Sequence, residues 1–378
     1  MNEVKKKKGI TLVALVITIV ILLILAGISI STLTNTGIFQ KAKDAKKASE
    51  NAEKEQKQTL SEYERELNKY TAQELTDDKI NTVLSEKENT ILKDKFGNIF
   101  TLPAGFKVVV NDDTGNAKTV DKGIVIEDVT DTTTKGSQFV WVPVGNIKKD
   151  DGTTVEINLD RYTFDKNGIS TPQGENIIET YCNEGKSKGN AIAKNITNFK
   201  NSVATNGGYY IGRYEARTIV ERKSKDDKLA QLTEKKADPV YNYVTQFQAA
   251  EQAKNMYNGK NITSDLMNSY AWDTAIIFIQ NCTEQKNYAN QSSLNVASIP
   301  SLTGTANDIQ CNIFDMASNV FEWTTETSSS KNDNVDTPCV RRGGYCNYRY
   351  DYTSIRYYHE TSYSNAPIGF RPILYINV

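Results

Sequence analysis

Histidine is nearly missing from this sequence. One imidazole, His359, stands among 378 residues, and that excludes any centre built on a cluster of histidines, such as a three-histidine metal site. Cysteine is sparse too. Cys182, Cys282, Cys311, Cys339 and Cys346 include no C-x-x-C spacing of the kind that gathers zinc, and they are too few and too scattered to frame a domain of this size, which leaves room for one or two bridges. A surplus of charge is also absent. The 45 basic and 46 acidic side chains leave a net charge of -1, and a chain without a basic excess has no general attraction for a phosphate backbone. Nucleic acid is excluded as an expected partner.

What is present begins with a segment that has no charge, Ile10 to Ile30, reading ITLVALVITIVILLILAGISI. At about 1.5 Å per residue it matches a hydrocarbon layer of about 30 Å. Lys5, Lys6, Lys7 and Lys8 precede it, and clustered lysines resist translocation, so everything after Ser31 is expected on the outer side of a membrane. The alternative is a cleaved signal peptide, but the run exceeds a usual apolar core and lacks a clean small-residue cleavage site. KKKKG followed by ITLVALVITIV resembles the N-terminus of type IV prepilins. The resemblance implies cleavage between Gly9 and Ile10, pilin-like helix partners and association with a pilus. It departs at Ala14, where prepilins usually carry a glutamate that registers subunits, so it speaks for anchoring more directly than for filament assembly. Residues 1–36 form the expected leader and anchor.

After Gly37 the chain turns to Ala, Lys, Glu and Gln, which lose little side-chain entropy in a helix, and residues 37–95 read as a helical stalk. Ala42, Ala45, Ala48 and Ala52, then Leu60, Tyr63, Leu67 and Tyr70 mark one weakly apolar stripe. It suits a partner helix, the protein's own head, or a plain solvated stalk. From Phe96 onward, short β-branched and aromatic runs (FKVVV, GIVIEDV, SQFVWVPV, GGYYIGRYEA) read as strands. Helical patterns around Val244 to Tyr257 and Ser264 to Asn281 interrupt them, so residues 96–378 are expected to form an α+β domain. No internal repeat is visible.

Six segments in order resemble the formylglycine-generating (sulfatase-modifying) enzyme superfamily, whose fold is a variant of the C-type lectin fold. They are GGYYIGRYEA with Tyr214 and Glu215; DPVYNYVTQFQAAEQAKNMY; SDLMNSYAWDTAIIFI with Leu266 and Trp272; NIFDMASNVFEWT with Asp315, Met316, Ala317, Asn319, Val320, Glu322, Trp323 and Thr324; RRGGYCNY; and IGFRPI. The fold this implies is a C-type lectin-like head after a long N-terminal pilin-like helix. The family's chemistry does not follow with it. Its copper-dependent oxidation needs two nearby cysteines after R-G-G, where this chain has only Cys346, and its iron-dependent branch needs a histidine cluster. A nucleophilic dyad of Cys346 and His359 would need an orienting third group that nothing singles out. Cys346 is therefore a weak catalytic candidate, and no cofactor is expected apart from structural calcium, for which Asp308, Asp315 and Glu322 offer the hard oxygen ligands.

Seven of the chain's 20 tyrosines fall between Tyr345 and Tyr363, with no two-residue or helical apolar period, so they are not expected all to be core. Tyrosine offers a stiff amphipathic surface, and small polar neighbours supply adaptable hydrogen bonds. Tyr345, Asn347, Tyr348, Tyr350, Asp351, Tyr352, Ser354, Tyr357, Tyr358, His359, Ser362, Tyr363 and Asn365 are the expected ligand contacts, on a face spanning 345–365. R-G-G, this segment and G-F-R-P together resemble the variable proteins of diversity-generating retroelements, in which adenines of asparagine codons are mutated; Tyr, Asp, Ser, His, Ile and Thr each lie one such change from Asn. The expected function is a surface-anchored adhesin-like protein that binds a protein or glycan outside the cell. A divergent metalloenzyme using Cys346 and a minor pilin are the alternatives.

Overall fold

The computed structural model describes residues 38–130, 132–174, 180–181, 191–192, 196–229, 232–292, 297–305, 308–328, 331–332, 335–348 and 350–377. The expected membrane segment Ile10 to Ile30 and the expected cleavage site at Gly9 and Ile10 lie outside the described residues, among which no helix is long and apolar enough to cross a membrane.

Two compact units divide the chain, Met1–Ser61 and Glu62–Val378. Helix α1, Ile38–Thr71, is the described part of the first and continues into the second. Its 34 residues contain no glycine or proline, and pairs such as Lys46 and Glu50, 3.7 Å apart, add i,i+4 support. All eight residues of the weak stripe, Ala42 through Tyr70, are exposed. Beyond Thr71 the expected stalk gives way to folded chain. Gln73–Glu74 pairs in parallel with Thr90–Lys93, which pairs antiparallel with Ile99–Leu102. Burial is the cause: Leu92 joins Phe100 and Leu102 in the core, a destination that the polar composition of this stretch does not announce.

The second unit is α+β and rich in sheet. Ten strands carry its two main sheets: β1 (Phe106–Val108), β2 (Val125–Asp128), β3 (Gln138–Pro143), β4 (Gly208–Gly212), β5 (Ile262–Leu266), β6 (Phe321–Thr327), β7 (Cys339–Arg342), β8 (Arg356–His359), β9 (Ile368–Phe370) and β10 (Pro372–Ile376). The larger sheet has the order β5, β10, β4, β3, β2, β1 and is antiparallel throughout. The smaller has the order β8, β7, β6, β9, with β6 and β9 parallel. Three shorter helices accompany them: α2 (Ile196–Asn206), α3 (Gln246–Met256) and α4 (Ser269–Cys282).

The runs FVWVP and GYYIG are apolar without alternation because both faces of β3 and β4 are covered. Successive side chains of a strand point to opposite faces. Tyr209 donates its hydroxyl to the Ala271 carbonyl of α4 at 2.6 Å and meets Phe199 of α2 edge-on at 5.2 Å, while Tyr210 donates to the Thr101 carbonyl at 2.8 Å and packs on Trp141. Both expected helices form. Thr245 and Gln248 build a capping box on α3, and the Asn268 side chain accepts from the Ala271 amide at the start of α4. The second is shorter than expected, since Ile262–Leu266 pairs with β10 as an edge strand. Helix α2 was not foreseen.

Only Arg371 separates β9 from β10, so the chain steps from the smaller sheet to the larger at this residue. Its fully buried guanidinium donates to the Glu322 carboxylate of β6 at 2.7 and 3.1 Å, to the Gly212 carbonyl at the end of β4 at 2.9 Å and to the Phe314 carbonyl at 2.8 Å. A second buried network lies between the smaller sheet and α4. Asp273 receives Arg342 at 2.5 Å and Arg356 at 2.6 Å, and Arg356 also reaches Glu326 at 3.0 Å. Removing one partner of such a pair strands a buried charge. Arg371→Ala is therefore expected to destabilise the protein by about 3–5 kcal/mol in urea unfolding; a loss below about 1 kcal/mol, the scale of an exposed pair, would show that the sheets do not depend on it.

Candidate functional site

Alternation along the smaller sheet separates two kinds of chemistry. Register places Trp323 of β6 opposite Arg341 of β7, and Arg341 opposite Tyr357 of β8; Cys339 stands opposite His359. Phe321, Trp323, Arg341, Tyr357 and His359 thus share one face, while Glu326, Arg342 and Arg356 point the other way into the network with Asp273. After β7 the chain runs hard against the loop that precedes β6. A Cβ on Gly343, which has φ +81°, would come 2.6 Å from the Met316 carbonyl oxygen, and one on Gly344 would come 2.3 Å from that of Ala317. Only glycine fits either position. The Cys346 amide then donates to the Asn319 carbonyl at 2.9 Å, and Asn319 donates its side-chain amide to the buried Glu215 at 3.0 Å.

This path delivers the tyrosines onto the aromatic face. Tyr345 stacks on Phe321 at 4.6 Å and on Tyr348 at 6.4 Å, and Tyr348 meets Tyr350 edge-on at 5.3 Å. Tyr357 meets Phe321 edge-on at 5.6 Å. The Arg341 guanidinium lies 3.8 Å above the Phe321 ring, and next to it the rings of His359 and Tyr363 stack in parallel at 3.8 Å. Tyr350 is 76% exposed, Tyr348 45%, Tyr358 41%, and Tyr352 and Tyr357 37% each, so five of the seven rings face water and none of the seven is fully buried.

Other expected contacts fall less uniformly. Asn347, Ser362 and Asn365 are exposed; Tyr345, Ser354, His359 and Tyr363 are half-buried. Tyr358 is one residue from Tyr357 on β8 and projects to the other side of the sheet. Tyr352 forms an isolated bridge with Ser292 and makes no ring contact among the described residues. Asp351 is a correction to the expected contact list. It is buried, and its carboxylate accepts the Tyr357 hydroxyl at 2.8 Å, so it supports a neighbouring ring from below the surface. Sequence reasoning missed Phe321 and Arg341. They sit within the N-V-F-E-W and R-R-G-G segments, where nothing local separates a core residue from one that supports a surface.

No protein-family model matches the chain, and a search of curated proteins returns no match. Among solved structures the chain is similar to variable protein 1 of Treponema denticola, at 14% identity and a TM-score of 0.37, over 64% of this chain and 97% of that one. It is similar to PvdO from Pseudomonas aeruginosa at 13% identity and a TM-score of 0.33, over 64% and 95%. It is also similar to the M1 variant of the major tropism determinant at 13% identity and a TM-score of 0.31, over 78% and 96%.

The chemistry open to the reactive groups is limited. Cys282, Cys311 and Cys346 are free thiols. Burial pushes the Cys346 thiol above its usual range, and no hydrogen bond joins it to His359, so the pair is not an activated dyad. Two of the three calcium candidates are already engaged. Glu322 is held by Arg371, and Asp308 accepts from the Tyr288 hydroxyl and the Ala317 amide. Burial pushes Asp315 up to about 7, which weakens it as a ligand for a hard cation. Among the described residues no three His, Cys, Asp or Glu side chains come together to hold a metal.

His359 offers a direct check on this geometry. Burial, with Arg341 close by, pushes its imidazole down to about 4 from the ordinary 6.5. Between those values the unfolded chain binds a proton that the folded chain refuses, so this group's contribution to stability is complete above pH 6.5 and is lost as the pH falls toward 4. Because the chain has one histidine, an NMR titration reads it without ambiguity. The expected midpoint in the folded protein is near 4; a midpoint near 6.5 would place the ring in water and dismantle the stack with Tyr363.

Proposed function

We propose that the protein is a surface-anchored binding protein whose lectin-like head engages a protein or glycan outside the cell through the aromatic face of its smaller sheet. One observation carries this reading: Tyr348, Tyr350 and Tyr357 are exposed while forming one packed array with Phe321, Tyr345 and Arg341. Large rings that surrender little rotamer freedom on contact make efficient binding surfaces. The lectin-like scaffold is supported by the fate of the six segments that resemble the formylglycine-generating superfamily. Arg371 of G-F-R-P meets Glu322 of N-V-F-E-W, and Asn319 of that segment meets Glu215 of the Tyr-Glu pair, so the segments close on one another as parts of a single scaffold. The apolar run Ile10 to Ile30 supports the anchor. Asn347, Tyr348, Tyr350, Tyr352, Tyr357, Tyr358 and Ser362 are exposed and are Asn or one adenine change from it, which supports diversification of this segment by a retroelement.

Tyr348→Ala combined with Tyr350→Ala should abolish binding of the full chain on glycan arrays and panels of purified surface proteins, by roughly tenfold or more for each ring. Thermal stability should hardly change, since exposed side chains away from the core cost little. Binding that survives both substitutions, or unfolding of the variant, would refute the reading. Sequencing the locus tests the diversification separately: a neighbouring near-repeat of the segment and a reverse transcriptase gene are expected, and their absence would end that part of the proposal.

A further inference from the structure

Two consecutive arginines on β7 are treated in opposite ways. Arg342 points inward and is ion-paired, with Asp273 at 2.5 Å and Glu326 at 3.6 Å, although its Nη1 makes no hydrogen bond among the described residues. Arg341 points outward beneath the tyrosines, and among the described residues no hydrogen bond or ion pair reaches its guanidinium. Its Nε is sealed from solvent without a partner. The contacts it does make are with rings, Phe321 at 3.8 Å and Tyr357 at 5.3 Å. The acid whose charge acts on it, Asp351, makes no ion pair with it and is committed to the Tyr357 hydroxyl. A largely desolvated cation with no hydrogen-bonded anion is a costly arrangement, which ring faces offset only in part.

The kind of partner follows from what this surface leaves free. The rings of Tyr348, Tyr350 and Tyr357 stand exposed, and neither described cavity is lined by a residue of the array. Around Arg341 the ring faces are occupied by one another: Tyr345 with Phe321 and Tyr348, His359 with Tyr363. A sugar would need an open ring face on which to lie. Hydroxyls, ring edges and the outer end of one unpaired guanidinium are what remain, and a planar guanidinium is matched best by a carboxylate. Resting on the binding-face reading above, we propose that Arg341 determines specificity, and that the partner is a protein that presents an aspartate or glutamate side chain to it among Tyr345, Tyr348 and Tyr357.

The test uses the full chain and a random peptide library in display format. Selected peptides should share an acidic residue at one position. Replacing that Glu by Gln in the synthetic peptide should weaken binding roughly tenfold or more, as for a hydrogen bond to a charged group, and the preference should vanish in Arg341→Met, which keeps an apolar stem against Phe321. Arg341→Lys, which retains the charge but not the planar fork, should keep only part of it, and this variant decides the matter if Arg341→Met fails to fold. Peptides that depend on Tyr348 and Tyr350 but show no acidic preference, or whose preference ignores Arg341, would overturn the carboxylate proposal and leave the binding face standing. Binding confined to an acidic polysaccharide, probed with polygalacturonate, would overturn the choice of a protein. Absence of any binding that responds to the tyrosines would remove the face itself.

Discussion

The buried pair of Arg371 and Glu322 is the constraint from which the rest of the head follows. Two opposite charges with no access to water are tolerable only when geometry and hydrogen bonding are nearly complete, and here the guanidinium also caps the carbonyls of Gly212 and Phe314. Those contacts pin the end of β4, the approach to β6, and the step from β9 to β10 at one point. They also set the phase of β6. With Glu322 turned inward, Phe321 and Trp323 must turn to the opposite face, and the register then carries Arg341 and Tyr357 to that side with them. A slip of one residue would exchange the faces entirely.

Rigidity beneath the tyrosines has a second source on the other side of the same strands. Arg342 and Arg356 are clamped by Asp273 and Glu326, so β7 and β8 are held from below while their outward side chains carry the aromatic array. Gly343 and Gly344 press the chain against the carbonyls of Met316 and Ala317 and so fix where Tyr345 emerges. The outward rings are thereby held from two sides of the same strands.

Parts of this were legible in residue order and parts were not. The tyrosine bias after R-G-G marked a surface, and exposure agrees for Tyr348, Tyr350, Tyr352, Tyr357 and Tyr358. Tyr357 and Tyr358 nevertheless face opposite ways, because composition carries no phase until a strand is paired. Asp351 had the residue type of a contact and the burial of a support. Arg341 and Arg342 are indistinguishable as letters, yet one is neutralised by Asp273, remote in sequence, and the other is not. The stretch 72–95 looked like stalk because its polar residues outnumber Leu92, the side chain whose burial draws it into a sheet.

By itself the sequence determined the elements that depend on local chemistry. The helix of α1 follows from residues that lose little entropy on coiling, the strands from β-branched and aromatic runs, the starts of α3 and α4 from their capping side chains, and the exclusion of histidine-based metal chemistry from a single count. Tertiary structure alone decided which charges are paired, which tyrosines near the last strands stay exposed, and which arginine is left without an ion pair among the described residues. Those outcomes depend on contacts between residues far apart in the chain, such as Arg371 with Glu322 and Arg342 with Asp273. Their energy arises only when folding removes both partners from water together.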